Sequence, residues 1–164
     1  MSRVYLGLGS NLGDRLERIS SAAKQLNTVP GIQVRQMAPI IETEPVGGPA
    51  GQDPYLNTAL EIETDLPPRA LLEHCQAIEQ QLGRTPSEQR WAARAIDIDV
   101  LLYAERVVQE PRLTIPHPRL HERWFVLEPL AELAPDVIHP VLHRSVADLL
   151  AAVTPAPAKK RAEA

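Results

Sequence analysis

The first apolar run, Val4-Tyr5-Leu6-Gly7-Leu8-Gly9, is closed by Ser10-Asn11-Leu12-Gly13-Asp14-Arg15. A run that short, bounded by turn residues, predicts a buried strand ending in a tight turn. Leu12, Leu16, Ile19, Ala23 and Leu26 then recur at helical intervals, and Asp14 followed three residues on by Glu17 has the spacing of a capping box. Glycines between a strand and a helix also suit a phosphate loop. Neither Gly-x-Gly-x-x-Gly nor a Walker Lys-Ser/Thr is present, so phosphate loop and plain turn both stay open. Pro30-Gly31 breaks the chain before two strands, at Ile32–Met37 and Ile40–Thr43. The Gly and Pro content of residues 44–54 excludes regular structure and predicts a mobile loop. Tyr55–Thr64 alternates as a strand, Pro67-Pro68 opens a helix with Leu71, Cys75, Ile78 and Leu82 on one stripe, and Gly83 stops it. A polar loop at 84–89 follows.

Further on, Asp97–Tyr103 reads as a strand, 106–108 as a short one, and 112–119 as a loop held extended by its prolines. Residues 123–133 are an apolar helical stretch and 146–150 a last short helix. The segment 154–164 lacks apolar anchors and is expected to be disordered. Several connections are too short for crossover helices, between the second and third strands and between the strands at 97–103 and 106–108. Adjacent pairing there argues for an α+β domain rather than a doubly wound parallel sheet.

The 164 residues predict one domain, spanning 1–153, with a formal charge of −4 that offers no basic field for nucleic acid. Any anionic ligand must therefore be held by locally clustered arginines. The single cysteine, Cys75, excludes an internal disulfide and falls on the apolar stripe of its helix. His74, His117, His121, His139 and His143 are scattered without zinc-site spacing, and no Gly-x-Ser-x-Gly elbow or Cys-His pairing accompanies them. No signal peptide and no membrane span are predicted, so a cytoplasmic protein is the expectation; a monomer is expected separately.

The segment that concentrates chemistry is Arg90-Trp91-Ala92-Ala93-Arg94-Ala95-Ile96-Asp97-Ile98-Asp99-Val100-Leu101-Leu102. On a strand Asp97 and Asp99 share one face, roughly 6.6 Å apart along the chain. Aspartate is depleted from strands, so something must favour the pair. Side chains at that spacing can converge on cations about 3.5–4 Å apart, the two-metal separation of phosphoryl chemistry. Alone the pattern more often marks a solvated acidic edge. Guanidinium groups that clamp phosphates and an indole that stacks on a heterocycle, just upstream, shift the reading towards a nucleotide site.

Five stretches in register carry a family resemblance: Gly9-Ser10-Asn11-Leu12-Gly13-Asp14; Tyr55-Leu56-Asn57; Gly83-Arg84; Arg90-Trp91-x-x-Arg94-x-x-Asp97-Ile98-Asp99; and Arg112-Leu113-Thr114-Ile115-Pro116-His117. Together they resemble the 6-hydroxymethyl-7,8-dihydropterin pyrophosphokinases of folate biosynthesis over about residues 3 to 150. The resemblance implies a ferredoxin-like three-layer αβα sandwich with a mostly antiparallel sheet and mobile catalytic loops. It implies transfer of pyrophosphate from ATP to the pterin's hydroxymethyl group with release of AMP. Asp97 and Asp99 would hold two Mg²⁺ ions, and Arg84 and Arg94 would be catalytic cations. Gln76, Trp91, Arg112, Thr114, His117 and Arg123 match ATP positions; Thr43, Val46, Tyr55, Asn57 and Phe125 match the pterin pocket. Several positions depart from the family pattern: Ala92-Ala93 stands where Gly-Pro is common, Glu44 where proline is, Pro118 where some members carry tyrosine, and Pro86-Ser87 where some carry basic residues. Two competing readings are a non-catalytic nucleotide or pterin sensor and another Asp-x-Asp metal-dependent transferase. The first would need a broken metal pair and the second would release different products.

Overall fold

The computed structural model describes residues 1–11, 13–43, 54–83, 95–153 and 160–162, the last three as backbone only. A long strand, β1 (Ser2–Ser10), enters helix α1 (Arg15–Thr28). The cap is half of the expected box: the Asp14 carboxylate accepts from the Glu17 N–H at 3.1 Å, while the Glu17 carboxylate is taken by the Ser21 hydroxyl at 2.6 Å. Strands β2 (Ile32–Met37), β3 (Ile40–Thr43) and β4 (Tyr55–Thr64) follow, then α2 (Pro68–Gln81) and β5 (Asp97–Tyr103). The chain continues through β6 (Val108–Glu110), β7 (Leu113–Ile115), a 3₁₀ turn (Leu120–Glu122), α3 (Trp124–Leu133), α4 (Val146–Ala152) and β8 (Lys160–Ala162).

The main sheet runs β5-β1-β4-β3-β8, with β2 also on β4, and its pairings are antiparallel. The expected pairing of the second strand with the third does not occur. Only Ala38-Pro39 separates them, and a two-residue reversal needs a positive φ that proline cannot take and alanine disfavours, so β2 and β3 run on in one direction along the same side of β4. Ala38 bridges the gap, its N–H donating to the Ala59 carbonyl at 2.9 Å and its carbonyl accepting from the Thr58 hydroxyl at 2.8 Å. Nor does β5 pair with the next strand. Ala104, at φ 47°, turns the chain away after Tyr103. β6 begins at Val108 and pairs with β7, which lies inside the stretch expected to be loop. β5 is thereby left as an edge of the main sheet. At the other edge, three residues expected to be disordered form β8 on β3. An exposed edge offers unpaired backbone groups, so a strand can add there without apolar side chains.

Alternation divides the core. Leu6, Leu8, Leu60 and Ile62 pack with Ile19, Ala22 and Leu26 of α1 and with Leu71, Cys75 and Ile78 of α2. Tyr5, Ala59 and Leu101 face the other way, onto Leu127 and Leu130 of α3 and Val146 and Leu149 of α4. The result is the expected α+β sandwich, helices on both faces of an antiparallel sheet. Each fully buried leucine or isoleucine contributes about 1.5–3 kcal/mol. Cys75 is fully buried; burial first, then the Glu79 and Asp99 charges, pushes its thiol up to about 12, so it packs as a small apolar residue. Among the described residues no helix is long and apolar enough to cross a membrane.

Candidate active site

Gly7 and Gly9 stand side by side on the α3–α4 face of β1, and the strands flanking them carry the polar residues. Gly9 is opposite Asp97 on one side and Asn57 on the other; Gly7 is opposite Asp99 and Ala59. Residues directly opposite on antiparallel strands point to the same face. The two aspartates therefore flank two residues that bear no side chain of their own, with the Leu101 side chain over Gly7 and Asn57 rising beside Gly9. Space at Gly9 is tight: a Cβ there would stand 3.0 Å from Asn57 Oδ1, which would have to give by a few tenths of an ångström, and in ordinary contact with the Tyr55 ring at 3.8 Å. The Asn57 Nδ2 group donates to the Thr43 hydroxyl at 2.8 Å, which leaves Oδ1 over the glycine as an acceptor. Thr43, Tyr55 and Asn57 thus form one corner, at the paired ends of β3 and β4. Phe125, in the first turn of α3, is partly buried against the Trp124 ring, and α3 itself packs on β3 and β4.

A second feature lies beyond the open edge of β5. An open pocket of about 270 Å³ is lined by Asp99, Arg112, Thr114 and His117, with Leu72, Ile98, Val100, Leu113 and Pro118 as its apolar wall. The β6–β7 hairpin supplies Thr114, and Arg112 is set in its turn at φ 66°. Register with β1 sends the Ile98 N–H outward, where the buried Glu79 carboxylate accepts it at 2.8 Å. The same alternation turns the Val100 backbone towards the pocket. Asp99 belongs to both features, exposed between the glycine floor and the edge pocket.

His117 is fixed at both ends. Its N–H donates to the Leu101 carbonyl at 3.0 Å, and its Nδ1 accepts from the Arg119 N–H at 3.1 Å, which puts the ring proton on Nε2. Burial, then the Arg123 and Arg119 charges, lowers its pKa to about 4. The folded value lies below the unfolded one, so stability is at its full value above pH 6.5 and falls as pH drops from 6.5 towards about 4. Following the His117 ring resonances by NMR between pH 7 and 3.5 is expected to show a neutral imidazole until near pH 4. A midpoint at 6 or above would contradict this half-buried placement beside Arg119 and Arg123.

The sequence-predicted residues fall into three groups. Thr43, Tyr55 and Asn57 meet at one corner, and Asp99, Arg112, Thr114 and His117 at the edge pocket, with Asp97 on the floor between them. Gln76 is exposed one turn after Leu72 and does not line the pocket. Arg123 does not line it either: its guanidinium is 6.0 Å from the Phe125 ring centre, and its charge reaches His117. Val46, Arg84, Trp91 and Arg94 lie outside the described residues, as do the two expected loops. The glycine floor and Glu79 were not anticipated. Gly at alternate positions inside an apolar strand was the available signal, because it marks a place where something approaches the backbone closely.

Residues 5–135 match the family model for 7,8-dihydro-6-hydroxymethylpterin-pyrophosphokinase. The chain belongs to this family. It is 48% identical over 138 residues to the 2-amino-4-hydroxy-6-hydroxymethyldihydropteridine pyrophosphokinase of Methylorubrum extorquens, covering 84% of this chain and 86% of that one. Its identity to the Bacillus subtilis protein of the same name is 44% over 134 residues, 82% of this chain and 79% of the relative. The folic acid synthesis protein fol1 of Schizosaccharomyces pombe is 42% identical over 90% of this chain, which spans only 20% of that longer protein. Among solved structures, wild-type Plasmodium falciparum HPPK-DHPS superposes with a TM-score of 0.69 at 14% identity, over 92% of this chain and 44% of that chain. At that identity the likeness is one of fold. Membership makes this pyrophosphokinase a transferase of diphosphokinase type in folate biosynthesis.

Proposed function

We propose that this pyrophosphokinase transfers the β,γ-pyrophosphoryl group of ATP to 6-hydroxymethyl-7,8-dihydropterin with Mg²⁺, releasing AMP. The observation that carries the reading is the placement of Asp97 and Asp99 on a glycine floor, with the Thr43–Asn57 corner on one side and the edge pocket on the other. The donor set fits the metal. Mg²⁺ characteristically takes one or two carboxylates and completes its shell with phosphates and water, and Asp97 and Asp99 would supply those two. Bound there, two Mg²⁺ ions would neutralise developing charge on the phosphates.

The remaining work falls to the chain. Arg112, Thr114 and neutral His117 hold the nucleotide in the edge pocket, where the Val100 backbone edge suits a base against the apolar wall. Gln76, Trp91 and Arg123 are assigned to the nucleotide by the motif match alone, Gln76 and Arg123 standing outside the pocket lining. Asn57 and Thr43 read the donor and acceptor edge of the pterin, while Tyr55, Val46 and Phe125 enclose its faces. The hydroxymethyl oxygen attacks the β-phosphorus, the bond from that phosphorus to the α,β-bridging oxygen breaks, AMP departs, and the hydroxyl proton passes to solvent. Arg84 and Arg94 steady the charge on the transferred group, so the protein contributes positioning and electrostatics rather than covalent chemistry. Residues 1–153 act as one domain, a cytoplasmic monomer on this reading, with no nucleic acid or membrane partner.

Incubation with ATP, Mg²⁺ and 6-hydroxymethyl-7,8-dihydropterin should yield AMP and the pterin diphosphate in equal amounts. Formation of ADP, or nucleotide turnover independent of the pterin, would reject the assignment.

A further inference from the structure

Arg15 is the first residue of α1, its backbone set by the Asp14 cap, and its side chain reaches across to the opening of the β3–β4 hairpin. Its Nη1 donates to the Pro54 carbonyl at 2.7 Å and lies 3.5 Å from Glu42 Oε2. These two anchors sit immediately beside the site's corner: Glu42 precedes Thr43, and Pro54 precedes Tyr55. Thr43 and Tyr55 are paired across the hairpin, and Asn57 bonds Thr43. Glu42 is opposite Leu56, which belongs to the core beneath α1 and α2, so Arg15 grips the hairpin from that face. Tyr55 and Asn57 project over Gly9 on the opposite face.

We infer that Arg15 is a positioning residue for the dihydropterin half of the site, which rests on the function proposed above. It cannot touch a ligand on the glycine floor, because the sheet lies between. It ties the ends of β3 and β4 at one spacing, and that spacing sets the Thr43–Asn57 hydrogen bond and the height of the Asn57 Oδ1 over Gly9. The carbonyl contact is the stronger anchor: it is short and charge-assisted, whereas the Glu42 contact is long and partly exposed. With the hairpin end free, the corner samples splayed arrangements, and the ligand must bind the fraction that remains competent.

The test measures dihydropterin binding by calorimetry, with saturating Mg²⁺ and the α,β-methylene analogue of ATP, in the parent, Arg15→Gln and Arg15→Lys. Binding of the analogue is measured separately. Arg15→Gln is expected to weaken dihydropterin binding about tenfold and to leave the analogue within about twofold. Arg15→Lys, which keeps a cationic donor for the Pro54 carbonyl, should recover part of the loss. Equal weakening of both ligands, or unchanged dihydropterin binding in Arg15→Gln, would overturn the positioning role alone. A parent protein that binds no dihydropterin would instead overturn the proposed function, and this inference with it.

Discussion

Replacing Asp97 or Asp99 by alanine is expected to lower turnover about 1,000-fold or more, roughly 4 kcal/mol of transition-state stabilisation, and to leave the unfolding midpoint almost unchanged. The two halves of that expectation have separate physical sources. On the proposed function, turnover depends on carboxylates that gather cation and polyphosphate over the floor. Stability depends little on them, because Asp99 is exposed, Asp97 is only partly buried, and both strands keep their backbone pairing with Gly7 and Gly9 whatever the side chain. Removing one of two neighbouring like charges also relieves repulsion. Asp99→Asn sharpens the test, since it keeps the shape and a weak oxygen ligand while discarding the charge, and it should fall nearly as far as alanine. Steady-state rates over a Mg²⁺ series, beside thermal unfolding of each variant, separate the outcomes. Activity lost in step with a large fall in midpoint would mean that the aspartates hold the strand rather than the cation.

How far the molecule was legible beforehand differed by kind of information. Strands at Ile32–Met37, Ile40–Thr43, Tyr55–Thr64 and Asp97–Tyr103 follow from alternation, because a half-buried strand writes its period into the chain. Their partners do not follow. Two strands joined by Ala38-Pro39 look like neighbours, yet the third dimension decides that both lie end to end on β4. β6 and β7 are three residues each, too short to display a period, and β8 is held by backbone pairing. In the site, the aspartates stood out because carboxylates are unusual in strands, whereas Arg15 and Glu79 look like any polar residues on amphipathic helices. What distinguishes them is what lies opposite: the Pro54 carbonyl 39 positions away and the Ile98 N–H 19 positions away. Long-range contacts to the backbone leave no trace in side-chain pattern, so one sequence could not single them out.

The glycine floor yields the other large effect. Gly9→Ala is expected to lower kcat/KM for the pterin about tenfold, and Gly9→Val about 1,000-fold or more, with the unfolding midpoint within a few degrees of the parent in both. A strand interior gains from residues larger than glycine, since their unfolded chains lose less entropy on folding and β-branched side chains suit the pleat. On β-propensity alone, valine would be preferred at this position. The alanine Cβ would stand 3.0 Å from Asn57 Oδ1, the mobile end of a side chain, so a shift of a few tenths of an ångström relieves it and the cost is moderate. Valine adds two methyl groups in the row between Asp97 and Asn57, where no rotation of Asn57 restores a flat surface. Misplacing a reacting group by about 1 Å costs on the order of 100-fold, and here the acceptor over the floor and the space for the ligand are lost together. A well-folded Gly9→Val protein with parental kcat/KM would mean that the substrate does not lie across β1 at all, and the aspartates would then have to act on a ligand held wholly at the β5 edge.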